Sequence, residues 1–185
     1  MSRYLAALLF DLGDTIMIEE TEVKDDQGTT LHAELIPGIA EALRQFKAQG
    51  HRLALVADAR PNTPPNVLRQ HGLYDLFDAF AISEVVGVSK PDPLIFRTAL
   101  NVLGIAERDY GQVVMVGNHL ERDMAGANRL GIISVFFHWN ERRRTLPLTD
   151  EERPCYTVTS AQELIRLIAH LEQDEGWITS PKRIG

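Results

Sequence analysis

Four places in this 185-residue sequence combine residue types that could do chemistry with a spacing that could bring them together. Asp11 directly follows the apolar run Leu5–Phe10, in the stretch Leu9-Phe10-Asp11-Leu12-Gly13-Asp14-Thr15. Asp58 follows a second run, Leu53–Ala57, within Ala57-Asp58-Ala59. Ser89-Lys90-Pro91-Asp92-Pro93 puts an ammonium just ahead of a helix start, and Gly117-Asn118-His119-Leu120-Glu121-Arg122-Asp123 follows the run Val113–Val116. A lone aspartate after an apolar run is equally well an ordinary cap for the turn that follows it. Carboxylates, a lysine and an amide gathered at one edge are a different matter. That group suits a phosphate together with a hard, oxygen-ligated cation such as Mg²⁺, and core packing alone does not predict charged groups at three strand ends.

The elements that must carry these residues can be read from the apolar pattern. Leu5–Phe10, Leu53–Ala57, Ala79–Ile82, Val113–Val116 and Ile132–Phe137 are short and apolar throughout, as expected of parallel strands covered on both faces. Tyr156–Val158 is a weaker sixth candidate. Between them lie helical stripes: Ile39, Leu43 and Phe46 between Pro37 and Gly50; Ile95, Ala99, Val102 and Leu103 between Pro93 and Gly104; Met124 and Ala127 before Gly131. Ser160-Ala161-Gln162-Glu163 is a capping box ahead of the stripe Leu164, Leu167, Ile168, Leu171. Alternating strand and helix predict an α/β fold, a doubly wound, Rossmann-like parallel sheet whose chemistry lies outside the carboxyl ends of its strands. The expected organisation is one core domain over residues 1–172 and a flexible tail over 173–185.

Composition agrees with one ordinary globular domain, at 44% hydrophobic and 24% charged. Cys155 is the only cysteine, so neither an internal disulfide nor a cysteine-rich zinc site can form, and a reducing cytoplasm is the expected setting. Leu5–Phe10 is too short for a signal-peptide core or a membrane span. A net charge of −7 argues against nucleic-acid or anionic-membrane partners. The basic cluster Arg142-Arg143-Arg144 is expected to be a solvated loop.

The order and spacing of these motifs resemble the haloacid dehalogenase (HAD) superfamily across roughly residues 5 to 171. The resemblance is carried by the Asp11 loop, the small-residue turn at Ala57, Ser89-Lys90-Pro91, and Val114-Met115-Val116-Gly117-Asn118 with Asp123, Ala127 and Gly131. It implies a capless, Mg²⁺-dependent phosphatase in which Asp11 attacks phosphorus and forms an aspartyl-phosphate. Lys90 would screen the nucleophile and the phosphate, and Ala57, Asp58 and Ala59 would bind the phosphate, the latter two through their backbone N–H groups. Mg²⁺ would be held by Asp11, the Gly13 carbonyl and Asn118 or Asp123. About 20 residues separate Thr15 from Pro37 and about 30 separate Ala59 from Lys90, which leaves no room for a large cap. Residues 16–36, with Glu19, Glu20, Glu22, Asp25 and Asp26, are expected to form an acidic, solvated hairpin flap.

Three positions depart from the family pattern. Gly13 stands where a second aspartate usually serves as general acid, and the acid is displaced by one residue to Asp14. Ala57 lacks the usual hydroxyl, and Asn118 replaces an aspartate. Two function classes stay open: a phosphatase acting on a phosphorylated substrate, and a pseudoenzyme that binds metal or phosphate as a regulatory module.

Overall fold

The computed structural model describes residues 4–173; residues 1–3 and nearly all of the segment expected to be a tail lie outside the described residues. In chain order the elements are β1 (Ala7–Phe10), β2 (Val23–Lys24), β3 (Thr30–His32), α1 (Ile39–Ala48), β4 (Leu53–Ala57) and α2 (Thr63–Gln70). They continue with β5 (Ala79–Ile82), α3 (Ser83–Val86), α4 (Pro93–Val102), β6 (Val113–Gly117), α5 (Ala125–Arg129), β7 (Ile133–Phe137), β8 (Tyr156–Val158) and α6 (Ala161–Gln173). Six strands form one parallel sheet in the order β5-β4-β1-β6-β7-β8. The weak sixth candidate is thus a true edge strand.

Side chains alternate across a strand, so a wholly apolar strand must feed two cores. Leu8 and Phe10 of β1, Leu53 and Leu55 of β4, and Val114 and Val116 of β6 face one core with α1 and α6. Ala7 and Leu9, Ala54 and Val56, and Val113 and Met115 face the other with α4. Of the stripe expected in α4, Ile95, Ala99 and Leu103 point inward, joined by Phe96 and Leu100, whereas Val102 is 64% exposed. The capping box before α6 forms, with the Ser160 hydroxyl accepting from the Glu163 N–H at 3.2 Å. Its reciprocal bond runs one residue earlier than usual, from the Thr159 N–H to the Glu163 carboxylate at 2.7 Å.

Helix α2 has no counterpart in the sequence reading. Its Pro64 and Pro65 occupy the first turn, where a missing N–H costs nothing. The helix supports the hairpin β2–β3. Thr63 Oγ accepts from Thr30 N–H, Asn66 donates to Thr30 O, and Gln70 Oε1 accepts from Ala33 N–H, all at 2.9–3.1 Å. These side chains satisfy backbone groups that an isolated two-stranded edge would leave to water. Among the described residues this hairpin is the insertion near the strand ends, no large cap is present, and no helix is long and apolar enough to cross a membrane.

Candidate active site

The strand order reverses at β1, the central strand, and the crevice at such a reversal is where α/β sheets hold ligands. Phe10 is level with Leu55 of β4 and Val116 of β6. Asp11 therefore emerges between the ends of both neighbours, its N–H donating to Val116 O at 3.0 Å.

Lys90 arrives from the loop before α4, which Asp92 caps by accepting from Leu94 N–H at 2.8 Å. Its ammonium lies 2.6 Å from Asp11 Oδ1 and 2.7 Å from Asp123 Oδ1, and donates to Val56 O at 2.9 Å. Asp123 is fully buried and comes back toward the sheet on a π-helical turn, Leu120–Met124, whose N–H groups at 123 and 124 both donate to His119 O. Its second oxygen accepts from His119 N–H at 3.0 Å. Gly117 makes this approach possible: a Cβ there would lie 2.6 Å from Asp123 Cβ and closer still to its carboxylate.

One ammonium thus serves two buried carboxylates. Burial alone would push Lys90 down, but Asp11, Asp123 and Asp58 outweigh it and hold its pKa above the ordinary lysine value. Asp123 is raised as well, but here burial wins. Burial, with the charge of Asp11, raises it to about 6 although Lys90 pulls it down. The cluster carries more negative charge than Lys90 neutralises. Beside it, both side-chain polar atoms of Asn118 are buried without a hydrogen-bond partner. An oxygen donor without a partner next to excess buried negative charge fits a hard divalent cation. Of the four residues expected to hold metal, Asp123 is already committed to Lys90 and His119, which leaves Asp11, the Gly13 carbonyl and Asn118 as the donor set that fits. Among the described residues no cluster of three or more His, Cys, Asp or Glu has metal-site geometry, so a cation here would depend on the carbonyl and the amide.

Of these groups, Asp11, Gly13 and Lys90 line a cavity of about 530 Å³, within the usual range for small-molecule sites. Asp58 and Ala59 line it, but Ala57 does not and is 1% exposed. Of the N–H donors expected for phosphate, that of Ala59 already donates to Ser83 Oγ at 3.1 Å. Asp58 is balanced, since its Oδ1 accepts from Lys90 N–H at 3.0 Å and its Oδ2 lies 3.5 Å from Arg122. Ser83, at the end of β5, puts a hydroxyl in the wall that sequence reasoning missed. Ser83 directly follows an apolar strand, which was the available signal.

The far wall corrects two expectations. Glu19 and Glu22 line the cavity, so the acidic segment is not simply solvated. Nor is the Arg142–Arg144 cluster: Arg142 lies 3.2 Å from Asp14 Oδ2, Arg143 is ion-paired to Glu19, and Arg144 reaches Glu152 at 2.7 Å. Asp14 has no exposed surface and accepts from Glu19 N–H at 3.1 Å. Burial raises its pKa against that hydrogen bond and the two arginines. It has the left-handed φ of 47°, which aspartate tolerates better than most residues, and Gly13 does not. Asp14 is therefore an internal anchor, turned away from the chemistry.

A family profile described as haloacid dehalogenase-like hydrolase matches residues 3–131. The chain belongs to that family. It is 29% identical over 138 residues to the glyceraldehyde 3-phosphate phosphatase of Methanopyrus kandleri, covering 75% of this chain and 58% of that protein. It is 30% identical over 141 residues to the enzyme of the same name from Pyrococcus furiosus, with 76% and 56% covered. The chain thus spans a little over half the length of these relatives. A HAD phosphatase from Thermococcus onnurineus superposes with a TM-score of 0.71 over 89% of this chain and 98% of that one, at 20% identity, which speaks for the shared fold.

Proposed function

We propose that this protein is a cytoplasmic, Mg²⁺-dependent phosphatase that hydrolyses a small phosphomonoester through an aspartyl-phosphate on Asp11. The observation that carries the reading is Lys90 bridging Asp11 and Asp123 at the strand ends, beside a polar cavity of small-molecule size. The phosphatase names of the relatives support the same reaction class. Lys90 holds Asp11 Oδ1, which orients the carboxylate and leaves Oδ2 to attack phosphorus as the ester oxygen departs. Asp123 fixes the ammonium from its other side, so Lys90 cannot swing away when substrate enters. The Asp11 carboxylate, the Gly13 carbonyl and Asn118 would hold Mg²⁺, which supplies charge neutralisation at the phosphoryl oxygens. The segment 16–36 acts as a flap: Glu22, Lys24 and Thr30 close one side of the cavity in place of a cap.

The losses at Gly13 and Ala57 favour a second reading, a module that binds metal or phosphate without cleaving a substrate. A panel of phosphorylated metabolites, assayed with and without Mg²⁺ and with Asp11→Asn as control, separates the two. Mg²⁺-dependent release of phosphate that Asp11→Asn abolishes supports the phosphatase. Saturable binding without turnover supports the module.

A further inference from the structure

We propose that Glu19 supplies the carboxylate missing at Gly13 and serves as general acid and base; the inference rests on the phosphatase reading. A Cβ built on Gly13 would clash with Glu19 Oε1, and Glu19 Cγ and Cδ lie 3.1 Å from it. The carboxyl group of an aspartate begins about 1.5 Å beyond its Cβ. Glu19 therefore fills the volume that an aspartate side chain at position 13 would enter, and it lines the same cavity as Asp11 and Lys90.

Its two oxygens are differently engaged. Oε2 takes the ion pair with Arg143 and lies 3.6 Å from Arg142, whereas Oε1 is the oxygen at Gly13. The backbone is fixed as well: Glu19 N–H donates to buried Asp14, and Glu19 O accepts from Glu22 N–H at 3.2 Å. The side chain is 26% exposed, open enough to meet a substrate or water, while Asp14 has no such access.

The chemistry balances over two steps. As the Asp11 oxygen bonds to phosphorus and the ester P–O bond breaks, the Glu19 proton passes to the departing alcohol oxygen. Water then attacks the phosphoryl group and gives a proton to Glu19. The bond between Asp11 and phosphorus breaks, and its electron pair returns to the Asp11 carboxylate. Glu19 ends as it began.

The test uses the full chain with Mg²⁺ and a series of esters from p-nitrophenyl phosphate to simple alkyl phosphates. Alkyl esters need a proton at the leaving oxygen and the nitrophenyl ester hardly does. Glu19→Gln is expected to lower kcat/KM for alkyl phosphates by roughly 10²- to 10⁴-fold and for the nitrophenyl ester by less than roughly tenfold. It should also slow breakdown of the phosphoenzyme, giving a nitrophenolate burst of one per site. Moving the carboxylate, with Glu19→Ala plus Gly13→Asp, should restore alkyl turnover relative to Glu19→Ala alone, and it keeps the test valid if Glu19→Gln folds poorly. An equal loss on all esters without a burst, or no loss, overturns the proposal. If turnover depends on Asp11 but ignores every Glu19 variant, this inference alone fails. If no ester is turned over in an Asp11-dependent way, the phosphatase reading fails and takes this one with it.

Discussion

Two sides of one cavity are built by opposite means. On the floor, Lys90, Asp11 and Asp123 meet at the ends of packed strands, with side chains 2%, 10% and 0% exposed. At the rim, Glu19, Arg142 and Arg143 meet on loops, their side chains 26%, 31% and 24% exposed. The floor is stiff because Asp11 sits directly after β1, Asp123 on the buried turn after β6, and Lys90 is held between them and Val56 O. The rim depends on partners more than a hundred residues apart, with Asp14 as a buried pin between the two loops. The lesson is that this chain buries its tightest charge cluster at the strand ends, so on the proposed reading group transfer belongs to the sheet and proton chemistry to groups that the loops position.

The largest effect is expected on the floor. Lys90→Ala leaves Asp11 and Asp123 facing each other without a cation, and should cost about 3–5 kcal/mol of stability at neutral pH. Urea unfolding measures it, and a loss below about 1 kcal/mol would mean that the floor is not held by this ion cluster. Next comes Gly117→Ala, whose added methyl meets Asp123; about 1–3 kcal/mol is expected from overpacking, together with loss of Mg²⁺-dependent activity. An unchanged melting temperature would show that Asp123 can move aside.

The rim should respond more gently. Arg142→Ala with Arg143→Ala is expected to cost about 1 kcal/mol, since these pairs are partly hydrated. It should nevertheless lower alkyl-phosphate turnover more than nitrophenyl turnover, because Glu19 loses its orientation. Equal losses on both esters would erase the distinction between floor and rim.

A different kind of effect is a pH dependence. Asp123 has a folded pKa of about 6 against an ordinary value of 3.8. Between those values the native state holds a proton that the unfolded chain has released. Stability from this group therefore falls as pH rises through the window, and the penalty is complete above it. Urea unfolding in chelator should show that fall, and Asp123→Asn should flatten it. An identical slope in the variant would mean that the proton belongs elsewhere.

The floor was legible in the sequence because short apolar runs mark strands and the residues after them gather at one edge of the sheet. Asp11 and Asn118 follow from that rule, as did the sheet itself; Lys90 and Asp123 lie further on, past α3 and on the turn Leu120–Met124, and were reached through the motif spacing. The rim was not legible. Arg142 and Arg143 carry no local sign that their partners are Asp14 and Glu19, and a run of charges looks solvated until its partners are known. Helix α2 was not read, although Pro64-Pro65 suits a first turn, and with it the support beneath the hairpin was missed. Asp14 looked like a displaced acid because sequence position does not reveal a left-handed φ that turns a side chain inward.

The central claim is that Asp11 carries the phosphoryl group. Quenching the protein in acid during Mg²⁺-dependent turnover of p-nitrophenyl phosphate, then mapping its peptides by mass spectrometry, tests that directly. One phosphoryl group on the peptide bearing Asp11, absent from Asp11→Asn, is the expected result. A phosphoryl group on another residue, or undiminished turnover by Asp11→Asn, would contradict it.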